Sequence, residues 1–527
     1  MSESSSDHYT IWAKCRNAFM MLMLWEAAGQ FQWVANGALP AISDIFIQLW
    51  NDRSDYPEHI TATVYSSGVG FFIGNAIAVL AGMLFVLSPV AARLTRGLNI
   101  TVFALPPIVI APILALTLSG NSPRIVLAAM GCYFITMSAT VIGLTQFDSR
   151  SADVVKAYGG GRWKVMRLVQ LRGAVPVILS GLRIAAPSAV LGAILAEFGG
   201  GGRWGLGSYL LGSLGRGDPA RLWGIGLMAT LIAGSGYMLF ALVSSRMLGA
   251  SRAVTVTTAA PTSETSDDAS GYKAWVLTIG SIALPLLVWW AFVRLLNLPE
   301  MIAKTPIGVF DYLFIADTSA IARTKILAAF AQTLPITLVG MCAGLLAAFL
   351  LAISGRLFPR TIQTLMPIAL VTQTMPLVAL TPLLVLMLGR GYGLILWVTI
   401  SVTFFPAFVT LAQGLALVPR SAIDVARAYG ASTWKEMRLI TIPSSLPYLF
   451  ASIRLTVPRA LLGVMIAEWL ATGTGLGNLL NQSRGYLDFG MIWTVAALSV
   501  IVSIVFYQLV VFCERRVLRR MGMQTSE

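Results

Sequence analysis

Charge and histidine are scarce in this sequence. Its 527 residues include two histidines, His8 and His59, and four cysteines, and charged side chains make up 11%. Soluble domains carry about a quarter charged residues. A chain that is 57% hydrophobic with a mean hydropathy of +0.77 must therefore turn most of its surface to lipid. Two histidines leave a zinc site almost without ligands. Cys15, Cys132, Cys342 and Cys513 stand far apart, in or beside apolar runs, without CxxC or Cys/His spacing. They read as buried small hydrophobes, and neither a disulfide framework nor a metal site is expected. Catalytic groupings of His, Cys or paired Asp are missing too, so the chain is not expected to be an enzyme. A phosphate-binding P-loop needs Gly directly before Lys. The residues preceding Lys14, Lys156, Lys164, Lys273, Lys304, Lys325 and Lys435 are Ala, Val, Trp, Tyr, Ala, Thr and Trp, so no ATP site is expected and any nucleotide must be bound by a partner. The opening Met1-Ser-Glu-Ser-Ser-Ser-Asp-His lacks the basic n-region of a cleaved signal, and the first span is expected to be retained.

What is present is apolar length. Segments 61–88, 362–388 and 490–513 each exceed the roughly 20 residues that cross a bilayer as a helix, and none alternates like a barrel strand. Backbone groups in hydrocarbon must be satisfied within their own segment, so these runs are helices and the fold class is all-α. The net charge of +14 could point to nucleic acid, but its placement points to anionic lipid, because Lys and Arg gather in alternate loops. One set of loops holds Arg93, Arg96, the dense group Arg150 to Arg172, Arg246, Arg252, Arg356, Arg360, Arg420 to Arg438, and Arg515 to Arg520. The other holds fewer, among them Arg124, Arg203, Arg216, Arg323, Lys325, Arg390 and Arg484. The first set is expected in the cytoplasm, together with both termini.

The chain repeats itself. Asp153-Val154 and Ala157-Tyr158-Gly159 return as Asp424-Val425 and Ala428-Tyr429-Gly430, and Trp163-Lys164 and Met166-Arg167-Leu168 return as Trp434-Lys435 and Met437-Arg438-Leu439. The same register carries through Pro176/Pro447, Arg183/Arg454, Pro187/Pro458, Gly192/Gly463 and Glu197/Glu468. One residue out of step, it holds upstream through Thr63/Thr333, Gly70/Gly340, Gly74/Gly344, Pro106/Pro376 and Pro112/Pro382. Between the copies, 250–272 is small, polar and Ser/Thr-rich, which reads as a flexible linker. The expected units are thus 1–249 and 273–527. Spans are expected near 17–34, 61–88, 98–118, 124–146, 176–198 and 221–246, and near 274–296, 331–354, 362–388, 391–417, 447–470 and 490–513, about twelve in all.

The repeated loop carries the function. Asp153 or Asp424 is expected to open a short helical turn at the positive end of its dipole, and Gly159 or Gly430 to end it by taking a positive φ. A second short helix follows, expected to present Trp and Leu on one side and basic residues on another. Each copy then forms a compact helix-turn-helix at the membrane surface.

This loop resembles the signature of importer permeases of the binding-protein-dependent ABC class, Glu-Ala-Ala-x3-Gly followed nine residues on by Ile-x-Leu-Pro. Asp153-Val154-Val155 and Asp424-Val425-Ala426 fill the Glu-Ala-Ala slots, and Gly159 and Gly430 the glycine slot. Ile440-Thr441-Ile442-Pro443 fits the tail in the second copy, whereas Val169-Gln170-Leu171-Arg172 lacks the proline in the first. The Trp-Lys-x-x-Arg segment and Gly181-Leu182-Arg183 are similar to the nitrate/sulfonate/taurine branch. The resemblance implies two tandem six-helix type I importer units in a bacterial inner membrane. It also implies two separate cytoplasmic ATPase subunits, an extracytoplasmic substrate-binding protein, and small anions such as sulfonates, taurine or nitrate as substrates. Asp153, Ala157, Gly159, Trp163 and Arg167, with Asp424, Ala428, Gly430, Trp434 and Arg438, would then couple to the ATPases. An amphipathic loop that only anchors to headgroups is the competing reading.

Arg183, Glu197, Arg454 and Glu468 lie on the fifth spans, where charge is costly unless paired or facing a cavity. Arg and Glu of one helix are about 21 Å apart and cannot meet. Either a pathway role or interhelical pairing accounts for them. Pro106, Pro112, Pro376, Pro382, Gly192 and Gly463 are expected to serve kinks and close helix approach. An ion-coupled secondary transporter is the main rival, with too few membrane-depth carboxylates for a relay. Permeases for iron or thiamine are alternatives within the family.

Overall fold

A computed structural model of the chain describes residue 16 and residues 19–34, 37–200, 202–248, 272–357 and 377–522. Most of the linker 250–272, Pro376, the first part of the span at 362–388, His8, Cys15, Lys14 and the opening segment lie outside them. Among the described residues every regular element is helical, as the apolar runs dictate. The first unit comprises α1 (19–30), α2 (Ile42–Asn51), α3 (Tyr56–Leu87), α4 (Pro89–Ala104), α5 (Pro107–Thr117), α6 (Ser122–Thr145), α7 (Ser149–Ala157), α8 (Arg162–Val165), α9 (Leu171–Gly200), α10 (Leu206–Leu214) and α11 (Pro219–Leu248). The second comprises α12 (Tyr272–Leu295), α13 (Pro306–Phe314), α14 (Ser319–Leu357), α15 (Leu377–Leu388), α16 (Tyr392–Ala416), α17 (Arg420–Ala428), α18 (Thr433–Glu436), α19 (Ile442–Ser444), α20 (Leu446–Ala467), α21 (Gly475–Gly485) and α22 (Phe489–Arg520). Nine helices among the described residues are long and apolar enough to span a bilayer, or ten if one bent pair counts as a span.

That bent pair departs from the straight span expected at 98–118. α4 and α5 meet at 98°. Pro106 has no N–H to continue the ladder and holds Leu105 extended, at φ −77° and ψ 118°. Arg93 and Arg96, expected in a loop, consequently ride on α4. The first expected span also differs: its helix ends at residue 30 and the chain turns through 31–34.

In each unit three long helices form the packed centre: α3, α6 and α9 in the first, and α14, α16 and α20 in the second. Glycine lets them close. A Cβ on Gly192 of α9 would meet the Leu127 carbonyl of α6 at 2.5 Å, and one on Gly463 of α20 would meet Val402 of α16 at 2.7 Å. The units also interlock. α12 packs along α4, where the Gly97 N–H donates to Ser281 Oγ at 2.7 Å. α5 reaches α20 and α22, and α15 reaches α9 and α11. One continuous core therefore runs from Ile108 and Ile113 to Leu383, Met465 and Ile492. The outer faces carry exposed Phe72, Leu80, Trp275 and Ile282, which suit lipid. Cys132 is buried as expected, but Cys342 and Cys513 are exposed on outward faces, since an apolar run alone does not reveal which side of a helix meets lipid.

At the end of the bundle away from the repeated loops, Asp52 forms an ion pair with Arg221 of α11. Burial opposes the charge on Asp52, but hydrogen bonds from Arg221 and Gln48 outweigh it and hold the carboxyl below its ordinary value. A depressed carboxyl stabilises fully above its unfolded pKa of about 3.9 and loses that contribution as pH falls through the folded value. Asp52→Asn should therefore flatten the acid limb of the thermal midpoint below pH about 4. Gly192→Val should lower the detergent-solubilised midpoint by the equivalent of about 1–3 kcal/mol. Gly173→Ala, with open space around it, should not.

Candidate functional site

The repeated loop folds twice into the same elbow. α7 and α17 end at Gly159 and Gly430, whose φ values are +73° and +70°. A Cβ at either would meet nothing within 4 Å, so glycine is required there by backbone conformation and leaves bare surface outside. After the elbow, α8 and α18 pass through π-turns, Met166–Gln170 and Met437–Thr441, toward the long helices α9 and α20. Pro443 is not needed for this exit, because the first copy makes it without proline. In the second copy the chain breaks again after Ser444, and α20 starts at Leu446.

Two expectations about the elbow change. Asp153 and Asp424 do not open their helices. Each is the fifth residue, and α7 is capped by Asp148, which accepts from the Arg150 N–H at 3.0 Å. The sides of the second helix are also redistributed. Val165 and Met166 are the inward anchors, with Met166 packed on Leu144 and Ala174, while Trp163 and Leu168 face out. All ten residues singled out in the motif, Asp153, Ala157, Gly159, Trp163, Arg167, Asp424, Ala428, Gly430, Trp434 and Arg438, are exposed. With them lie Tyr158 and Tyr429, 88% and 89% exposed, and Val154 and Val425. The outcome is a pair of uncovered aromatic and basic surfaces, each hung on one sharp turn. Their internal ties differ. The first elbow carries a solvated Lys156–Asp153 pair at 3.2 Å, worth little. In the second, Arg427 bonds the buried Glu436 at 3.0 Å and joins α17 to α18.

The membrane-depth charges are brought together with partners the sequence reading passed over. Glu197 is fully buried near the far end of α9. Its carboxylate accepts from Thr63 Oγ1 of α3 at 2.8 Å and from the Gly207 N–H at 2.8 Å. Thr63 in turn accepts from the Leu206 N–H at 2.9 Å. Glu468 repeats the arrangement with Thr333 Oγ1 at 2.7 Å and the Gly477 N–H at 2.9 Å, and Thr333 accepts from the Leu476 N–H at 2.9 Å. Each lock fixes the start of α10 or α21 against its unit, using the free N–H groups of a helix N-terminus. Gly205 and Gly475 take positive φ, and a side chain on either would strike the carboxylate. The Thr63/Thr333 repeat was the sequence signal for this lock, since a duplicated hydroxyl in an apolar span needs a polar partner.

The two arginines part company. Arg454 pairs with Glu514 of α22 inside the bundle. Arg183 lies over the Tyr237 ring at 4.1 Å, and its buried Nε has no hydrogen-bond partner among the described residues. Ser244 stands where the second unit has Glu514.

Two interlocked helical units with membrane-spanning helices, each with an exposed elbow leading into a long core helix, α9 or α20, define a membrane component of a transport system. The family of the binding-protein-dependent transport system inner membrane component matches the chain twice, over residues 74–253 and 340–522. The chain belongs to this family. It is 31% identical over 157 residues to the riboflavin transport system permease protein RibX of Chloroflexus aurantiacus, covering 30% of this chain and 59% of that protein. A probable ABC transporter permease protein of Haemophilus influenzae is 27% identical over 227 residues, 42% of this chain and 88% of its own length. The taurine transport system permease protein TauC of Escherichia coli is 24% identical over 231 residues, 44% of this chain and 83% of that relative. Each match thus takes in less than half of this chain, none of them longer than one unit, and the riboflavin permease is matched over only 59% of its own length.

Replacing Glu197 by Ala should leave the Thr63 hydroxyl and the Gly207 N–H without an acceptor, at a cost of about 1–3 kcal/mol. Amide hydrogen exchange at Leu206 and Gly207 should then rise by about tenfold or more, while Glu197→Gln should restore most of the protection. Unchanged exchange in the alanine variant would show that the lock does not hold α10.

Proposed function

We propose that this chain forms the complete translocation pathway of an ATP-driven importer, with α7–α8 and α17–α18 each seated in a separate cytoplasmic ATPase subunit. The observation that carries this reading is the duplicated elbow: a positive-φ glycine with open space above it and an uncovered Tyr/Trp/Arg surface beside it. Lipid anchoring alone does not require such a surface twice at equivalent positions. Both elbows run directly into the fifth spans, so drawing them together would turn α9 and α20, and through the locks α10 and α21 at the opposite end. Binding of ATP by the partners would open the units outward toward a loaded binding protein, and hydrolysis would return them. The chain itself supplies the path and the sockets, and the nucleotide belongs to the partners.

The basic elbows and chain termini lie in the cytoplasm in this reading, because Lys and Arg gather there. The substrate is a small anion such as a sulfonate, taurine or nitrate. Likeness to the taurine permease supports this choice, while the riboflavin relative marks the breadth of solutes carried by similar chains.

Gly159→Leu and Gly430→Leu should each impose strain at a positive φ and block the socket. In proteoliposomes containing the chain with its ATPase and binding protein, either change should cut binding-protein-stimulated ATP hydrolysis at least roughly tenfold, a loss of about 1.4 kcal/mol of coupling, with insertion unchanged. Normal stimulated hydrolysis in both variants would rule out the docking role. Trp434→Ala should weaken ATPase co-purification, as loss of an exposed aromatic anchor does at other interfaces.

A further inference from the structure

Arg459 lies midway along the Leu446–Thr472 span of the second unit, where a charge is most costly. The other deep arginines have companions: Arg454 has Glu514, and Arg183 has the Tyr237 ring. Arg459 has no hydrogen bond, ion pair or ring contact among the described residues, yet it is only half-buried. No described side chain therefore answers its charge.

The packing around α20 shows which way Arg459 is turned. Val457 and Leu461 face α14 and α22, against Leu334, Met341, Val502 and Phe506. Gly463 faces α16, against Val402 and Thr399. At 100° per residue, Arg459 falls beside the Gly463 row and nearly opposite Val457, on a face shared with Leu455, Leu462 and Ile466. The helices left to meet that face are α15 of its own unit and α5, which crosses from the first unit onto α20. Arg459 is thereby directed to the seam between the units.

The fold does not demand an arginine here. The equivalent residue in the first unit is Ser188, whose hydroxyl donates back to the Ile184 carbonyl at 3.3 Å, and that unit assembles the same three-helix centre. A midplane guanidinium that its structural twin does without is explained by a ligand that brings the missing negative charge. We infer that Arg459 contacts the passing solute in the translocation pathway, taking a small oxyanion group (sulfonate, carboxylate or phosphate) in the planar fork geometry that guanidinium offers. This rests on the importer reading and adds to it a single, one-sided anion contact per chain.

The test does not need the natural solute. Leu462→Cys, on the same face as Arg459, is introduced into the full chain with its four native cysteines replaced by Ala, reconstituted in lipid nanodiscs. Its modification by anionic 2-sulfonatoethyl methanethiosulfonate and by the cationic trimethylammonioethyl reagent is followed by mass. Adding Arg459→Ser, a residue the first unit already accommodates, should lower the anion-to-cation rate ratio about tenfold or more, and Arg459→Lys should hold it. An unchanged ratio with Arg459→Ser, or no reaction with either reagent with and without ATPase and ATP, overturns the inference. Either result leaves the elbows untouched, and their failure would appear in the hydrolysis assay instead.

Discussion

A helix in hydrocarbon satisfies its own backbone, and anything that departs from a helix must find partners elsewhere. That constraint organises this chain. Where α9 and α20 end, short helices turn back into each unit, and their free N–H groups need acceptors. Glu197 and Glu468 supply them, relayed through Thr63 and Thr333. Without these carboxylates, Gly207 and Gly477 would carry unpaired amides in the core. The locks tie the end of α9 to α3 in the first unit and the turn after α20 to α14 in the second.

The other ends of the same helices leave their elbows uncovered. Val165, Met166 and Met437 hold the elbows to the bundle, while Trp163, Tyr158, Trp434 and Tyr429 are left outside. Under the proposed docking of the elbows, a helix with a buried lock at one end and an uncovered elbow at the other would transmit displacement along its length. Helix α9 runs unbroken from the π-turn to Gly200, which suits that mechanical role.

Duplication fixed the frame and left the charges free to diverge. Glu514 faces Arg454 where the first unit has Ser244. Glu436 braces the second elbow where Val165 fills the first, and Arg459 stands where Ser188 does. The second unit therefore has a tie to a buried carboxylate at its elbow, an ion pair inside its bundle, and at its middle a cation with no partner among the described residues. Two halves on one chain can differ in this way, whereas a symmetric pair of identical subunits cannot.

Sequence alone determined the helical class, because apolar runs longer than a bilayer admit no other structure. It also determined the two-unit plan from the repeat, and the glycine-stopped elbows, because a positive φ at Gly159 and Gly430 is a local backbone demand. The sharp α4–α5 turn was latent in Leu105-Pro106 but read as a straight span, since hydropathy carries no direction. Asp148 rather than Asp153 capping α7, Trp163 and Leu168 turning outward, and Cys342 facing outward each depended on rotation about a helix axis. Tertiary structure alone decided which charges are paired. Arg183, Arg454, Glu197 and Glu468 look equivalent along the chain, and Arg459, which corresponds to Ser188 in the repeat, carries no repeat signal. Coulomb and hydrogen-bond energies depend on distances of a few ångströms between helices remote in sequence, and only packing sets those.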